Sequence, residues 1–373
     1  MAGIYLHIPF CKQACHYCNF HFSTSLQQKE AVLEAMLKEI ELTDISSNPQ
    51  ISSIYFGGGT PSILTTDDLQ RLFDALHKKF NVDAGAEITL EANPDDIETS
   101  KLKQWRDMGV NRLSLGIQSF LEEELRWMNR AHTAKESLAC IDQIREEGFA
   151  NFSVDLIYGS PLLNNDDWQR NIDTVIEKAI PHISCYALTV EPATALQKMI
   201  SLQKKADVDP ERQAEQFLLL MHRMQSAGYE HYEISNYALP GMHSRHNSSY
   251  WQGTPYYGFG PSAHSFDGHS RKWNVANNAL YIQSLKHNNI PFEEELLTPT
   301  QQLNEYIMTS LRTSEGLNLE LVEKRFGAYK AATIRAGINK WEKENKLTIE
   351  KEKAVLTKEG KLFADGIAAD LFF

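Results

Sequence analysis

Hydrophobic and polar positions change rhythm along this chain. From residue 3 to about 190, short β-rich runs alternate with segments of helical period. The runs are GIYLHI (3–8), SSIYFGG (52–58), AEITLEAN (86–93), NRLSLGIQ (111–118), FSVDLIYG (152–159) and HISCYALTV (182–190). Between them, LQQKEAVLEAMLKEIEL, TTDDLQRLFDALHKKF and DDWQRNIDTVIEKAI place apolar residues at i, i+3, i+4 and i+7, the stripe of a helix that covers a sheet. Thr65 or Thr66 is suited to cap the second of these, with acids following in the first turn. Strands alternating with helices predict βαβ units and a parallel sheet. Six units are too few for a closed eight-stranded barrel, so an open, partial barrel is the leading architecture and a doubly wound sheet the runner-up. In both, ligands gather at the C-terminal ends of the strands.

The alternation stops near residue 205. DPERQAEQFLLLMHRMQSAGY (209–229) reads as a long helix with Pro210 in its first turn, and 230–275 is rich in Gly, Pro, His, Asn, Ser and aromatics. ALYIQSLKHNN reads as helical again. From 298 the order helix, helix, helix, hairpin, helix suggests a small winged-helix-like module. The expected division is 1–205 for the barrel, 206–295 for a connecting region and 296–373 for the C-terminal domain.

The candidate chemistry begins at CKQACHYC (11–18), which holds three of the five cysteines in a C-x3-C-x2-C spacing. The sulfurs of Cys11, Cys15 and Cys18 follow the first strand, at its site-bearing end. A disulfide would leave one thiol over. Structural zinc needs a fourth ligand, which His7, His16 or His21 could supply, but the spacing matches zinc sites poorly. An iron–sulfur cluster on three thiolates would keep one iron open to a ligand. The glycines Gly57, Gly58 and Gly59, with Thr60, end the second strand and permit close backbone approach. Glu91, Gln118 and Asp155 end the third, fourth and fifth strands, and Glu191 lies beyond the sixth. Apolar side chains are expected inside a barrel, so polar residues at these ends read as site-facing. Arg130 could pair a carboxylate bidentately. Cys140 and Cys185 fall in a helix and a strand and read as buried, structural thiols.

C-x3-C-x-aromatic-C followed by GGGTP resembles the radical S-adenosylmethionine (SAM) superfamily. That resemblance implies a [4Fe–4S] cluster on Cys11, Cys15 and Cys18, with SAM on the open iron, and a partial (β/α)6 barrel of α/β class. The blocks YLHIPFC, GGGTPS, EANP, GIQSF, NRAH and DLIYGSP narrow it to the group around the oxygen-independent coproporphyrinogen III oxidases. Carried over by residue, the resemblance puts Tyr5 and His7 near the cluster and Tyr17 at the adenine of SAM. It also puts Glu91, Gln118, Arg130 and Asp155 on SAM, with Ile157 and Ala263 lining the same pocket. Within the group, the oxidases continue to C-x3-C-x2-C-x-C, whereas this chain has Phe20 at that place. The oxidases also carry an N-terminal extension before their first strand, and this protein is expected to lack one. HNSSYW (246–251) resembles the H-N-x-x-Y-W motif of HemW-type haem chaperones, which implicates His246 in haem binding, with His243 and His264 as alternatives. The resemblance therefore implies a haem chaperone that passes haem to acceptor haem proteins such as membrane respiratory enzymes. Coproporphyrinogen III decarboxylation is the alternative. If SAM is cleaved, an electron donor such as flavodoxin or ferredoxin is implied, and a homodimer is compatible with the pattern.

Composition changes this picture in three respects. The formal net charge is −12, which argues against a broad nucleic-acid footprint and against an RNA-modifying reading. No apolar run approaches the ~20 residues of a membrane span. With no export signal visible and an odd, clustered set of cysteines, a reducing cytoplasm is the expected compartment.

Overall fold

The structure is a computed structural model and describes residues 1–45 and 49–373. Six strands, β1 (Ala2–Ile8), β2 (Gln50–Gly58), β3 (Asn81–Ala92), β4 (Arg112–Gln118), β5 (Phe152–Tyr158) and β6 (His182–Ala187), pair in parallel. They lie side by side in chain order. A doubly wound sheet reverses direction at a switch point, and this sheet has none, so the architecture is the partial barrel. The helices that return the chain start where local chemistry directs. Thr65 caps helix Thr66–Lys79 in a reciprocal box with Asp68, and Thr133 does the same with Glu136 for helix Ala134–Glu146. Asp209 caps helix Pro210–Ser226, with Pro210 as its first residue.

Alternation along each parallel strand sorts side chains to two faces. Ile4, Leu6, Ile54, Phe56, Leu90, Leu113, Leu115, Val154, Leu156 and Ile183 are buried in the apolar core with the covering helices. The opposite positions are polar: Ser53, Tyr55, Glu87, Thr89, Arg112, Ser114, Ser153, His182 and Ser184 are all buried. The expectation of an apolar barrel interior is thus corrected, and the lumen is polar along its length.

Residues 230–296 contribute strands that the Gly- and Pro-rich sequence did not suggest. β7 (Glu230–Glu233) and β8 (Asn236–Ala238) extend the sheet past β6. On the other side, β9 (Tyr256–Phe259) pairs in parallel with β1. It is followed by β10 (His264–Phe266), β11 (Ser270–Asn274) and β12 (Phe292–Leu296), all antiparallel. Among the described residues, the whole is one sheet of 12 strands. Buried Glu39 fastens this extension to the barrel. It accepts hydrogen bonds from Gly260 N (2.8 Å), Asn274 Nδ2 (2.6 Å) and Tyr281 OH (2.5 Å). The C-terminal region is mainly helical with a second apolar core around Leu303, Ile307, Val322, Ile334, Ile338 and Ile367. Its small sheet joins β13 (Leu317–Asn318) to the hairpin β14 (Leu347–Glu350) and β15 (Lys353–Leu356). Among the described residues, no helix is long and apolar enough to cross a membrane.

Candidate cofactor site

The loop after β1 is held at several points, which is what fixes three cysteines without regular structure. Cys11 N donates to Ser23 O (3.0 Å), and His16 N donates to Met128 O (3.1 Å). Gln13 Nε2 donates to Asn129 O (3.0 Å), and Asn129 Nδ2 donates to Ala14 O (2.7 Å). Asn129 has φ 61°, in the left-handed region that Asn tolerates; this turns the chain out of helix Glu122–Met128 and delivers Arg130. Lys12 pairs with Asp95 (2.8 Å) and with Asp96. The NRAH block and the Asp95–Asp96 pair that follows EANP are therefore clamps on the cysteine loop.

Cys11, Cys15 and Cys18 line a cavity of about 460 Å³ at the C-terminal strand ends. Facing them are Gly58, Gly59, Thr60, Glu91, Gln118, Arg130, Asp155, Ile157 and Glu191, with Tyr17 on the wall. Tyr5 and Gly57 stand behind that wall. The Tyr5 hydroxyl meets His7 Nδ1 at 3.1 Å, and a Cβ on Gly57 would lie 3.0 Å from the Tyr5 ring. Ala263 is buried away from the cavity. Among the lining residues that escaped sequence reasoning are Tyr55, Asn247 and Tyr186. Tyr55 and Tyr186 are on the same inward face as Glu91 and Asp155, a signal that period-2 alternation carries. Asn247 comes from a distant helix and has no such signal.

Glycine is required in the GGG segment. A Cβ on Gly58 would lie 2.7 Å from His7 Nδ1, and one on Gly59 2.6 Å from the Phe10 carbonyl oxygen. Gly58 also has φ 107°. Gln118, at φ 68°, is a non-glycine residue in the left-handed region at the cavity wall, strain of the kind that active sites hold.

The electrostatics are those of charged groups in a poorly hydrated pocket. Burial pushes Glu91 up to about 8, although Tyr55 OH donates to its Oε1 at 2.8 Å. Burial pushes Asp155 up to about 6, against the pull of Ser184, Arg112 and Arg130. Burial also raises the Cys11 thiol to about 11 and the Cys18 thiol in the same direction. Arg130 donates from Nη1 to Cys15 Sγ (3.2 Å) and from Nη2 to Asn93 Oδ1 (2.7 Å) and Gly116 O (2.5 Å). Among the described residues, its buried Nε has no hydrogen-bond partner. A guanidinium left with an open N–H beside the thiols suits an anionic ligand group.

Among the described residues, no three His, Cys, Asp or Glu side chains converge on one point as a single ion requires. Three cysteines spread along one cavity wall instead suit a polynuclear cluster, where each thiolate takes its own iron.

His246 lies elsewhere than an open loop. It opens helix Arg245–Trp251, which closes the floor of the barrel, and it is 1% exposed. Its Nδ1 meets Ser53 Oγ at 2.8 Å, its Nε2 meets Tyr250 OH at 2.9 Å, and its ring stacks on Tyr55 at 4.9 Å. Burial, then Arg112, lowers its pKa to about 3. In this conformation neither ring nitrogen is free for a metal.

A partial barrel with three cysteines on a cavity wall opposite polar strand ends is the arrangement of a radical SAM protein. Residues 5–175 match the Radical SAM superfamily and 297–363 the HemN C-terminal domain. The fold is similar to that of coproporphyrinogen III oxidase (HemN) from Escherichia coli, described as a radical SAM enzyme. The two share a TM-score of 0.85 and 25% identity, with 100% of this chain and 90% of that chain covered. In sequence, the chain is 31% identical to the heme chaperone HemW of Bacillus subtilis over 98% of both proteins. It is 33% identical to that of Mycobacterium tuberculosis, over 99% of this chain and 94% of the relative. The chain belongs to the HemW family of radical SAM proteins.

Proposed function

We propose that this protein is a haem carrier that holds a [4Fe–4S] cluster on Cys11, Cys15 and Cys18 and binds SAM beside it. The observation that carries the cofactor reading is one cavity with the three thiols on one wall and Glu91, Gln118, Arg130 and Asp155 facing them. Bound there, the cluster supplies an open iron coordination site and a one-electron donor. The chain's own residues do the rest. The GGG turn lets backbone approach the ligand, and the open Nε–H of Arg130 suits the SAM carboxylate. Glu91 and Asp155 accept hydrogen bonds from ammonium or ribose hydroxyl groups. Tyr17, on the same wall, suits the adenine.

Haem carriage is supported by the relatives, which are heme chaperones, and by Phe20, which stands where the oxidases have a further cysteine. Delivery would go to apo haem proteins, with respiratory enzymes as one class of acceptor, and SAM cleavage would call on flavodoxin or ferredoxin. Two assays test this. Haem-loaded protein mixed with an apo haem protein should lose its Soret absorbance to the acceptor. Incubation with coproporphyrinogen III, SAM and reductant should yield no protoporphyrinogen. Vinyl-group formation in the second assay would replace the carrier reading with the oxidase.

A further inference from the structure

With His246 sealed in the barrel floor, another imidazole stands where a flat ligand could reach it. Direct strand partners project to one face of a sheet. On β1, Gly3 faces the lumen, because a Cβ there would meet Ser53 and His246. Gly3 is paired with Tyr256, Tyr256 with Phe266, Phe266 with Arg271, and His264 with Trp273. Tyr256, Phe266, Arg271, His264 and Trp273 therefore share the inner face of the sheet's β9–β11 extension.

The rings fall into two groups on that face. His264 stacks on Trp273 (6.3 Å), Phe266 neighbours Tyr256 (6.5 Å), and Tyr256 meets Tyr250 edge-on (4.8 Å). Arg271 lies over Phe266 at 5.9 Å and pairs with Glu305 at 2.9 Å. His264 is exposed, and among the described residues neither of its ring nitrogens has a hydrogen-bond partner. Partial burial, and then Arg271, lower its pKa, so the ring is the neutral form that ligates iron.

The loop that presents His264 is built with some strain. A Cβ on Gly258 would lie 1.9 Å from the His264 carbonyl oxygen, so β10 can cross β9 this closely only over glycine. A Cβ on Gly260 would lie 2.5 Å from the His7 carbonyl oxygen, and Gly260 has φ 102°. Ser262, two residues before His264, has φ 65°. The GFGPSAHSF segment thus bends the chain at three special positions and leaves an imidazole open to solvent. Left-handed backbone at a non-glycine residue is retained where surrounding structure and function demand it.

We propose that haem binds on this inner face with His264 as an axial ligand, its macrocycle against Trp273 and Phe266 and a propionate on Arg271. The proposal rests on the haem-carrier reading. It also gives the H-N-x-x-Y-W helix a different part. Tyr250 extends the Phe266–Tyr256 group and His246 holds Tyr250 in place, so the motif shapes the haem surface without supplying the iron ligand.

Ferric haem titrated into wild-type protein, His264→Ala and His246→Ala, followed by the Soret band and by the low-spin signature of imidazole ligation, tests this. SAM binding to each variant checks that the barrel is intact. His264→Ala should lose the wild-type Soret position and weaken binding about tenfold or more. His264→Gly should regain the wild-type spectrum on the protein when free imidazole is added. His246→Ala should keep the wild-type Soret position and imidazole signature, with affinity lowered by the loss of its hold on Tyr250. Wild-type spectrum and affinity in His264→Ala, or loss of the imidazole signature in His246→Ala alone, would overturn the assignment. Absence of haem binding by the wild type would instead remove the carrier reading on which it stands.

Discussion

The hydroxyl of Tyr55 is a sharp probe of the cavity, because it acts on one carboxylate. Tyr55 OH donates to Glu91 Oε1 at 2.8 Å, and burial already holds Glu91 near 8. A hydrogen bond to a charged group contributes ~1.5–3 kcal/mol. Tyr55→Phe keeps the ring that stacks on His246 and removes only that donor. The Glu91 pKa should then rise by about one to two units. SAM carries a sulfonium charge, which favours an ionised Glu91, so its affinity should increase as pH rises through about 8 in the wild type. In Tyr55→Phe the rise should move to higher pH, with affinity at pH 7.5 reduced about tenfold. The α-amino group of SAM titrates in the same range, and Glu91→Gln separates the two by leaving only the ligand's own limb. The assay is SAM binding by anaerobically prepared, cluster-loaded protein from pH 6.5 to 9. Identical affinity and midpoint in wild type and Tyr55→Phe would refute the reasoning.

Gly59→Ala puts a Cβ 2.6 Å from one backbone oxygen and 2.9 Å from another, both on the segment that carries Cys11. It should cost ~1–3 kcal/mol of stability and lower iron retention and SAM affinity together, read by thermal melting and iron per chain. Burial raises Glu39 to about 7, above its unfolded value, so its stabilisation is full below about 4.3 and is lost as pH rises through 7. The stability of Glu39→Gln relative to wild type should therefore improve by about 2–3 kcal/mol between pH 5 and pH 8 in urea unfolding, and a pH-independent difference would contradict this.

The six parallel strands were legible because β-rich runs and helical stripes alternate strongly, and β1, β2, β4 and β5 fall within two residues of the runs read from sequence. β3 begins earlier and β6 ends earlier than its run, since strand ends are set by neighbours. Residues 230–296 hid their strands because those are short, glycine-interrupted and edge-like, and they gain register only from β1 and β6. The cysteine triad was legible because its three members fall within residues 11–18. The place of His246 was not, because H-N-x-x-Y-W reads alike for a helix on the surface and one closing a barrel floor. Only the partners Ser53 and Tyr55, 193 and 191 positions away in the chain, distinguish the two.

The most direct test of the central claim is metal and sulfide analysis of anaerobically reconstituted protein, with the EPR spectrum of the reduced form recorded before and after SAM. The account predicts about four irons and four sulfides per chain, lost in Cys15→Ala, and a spectrum that changes when SAM is added. Zinc in place of iron, or a cluster whose spectrum is indifferent to SAM, would contradict it.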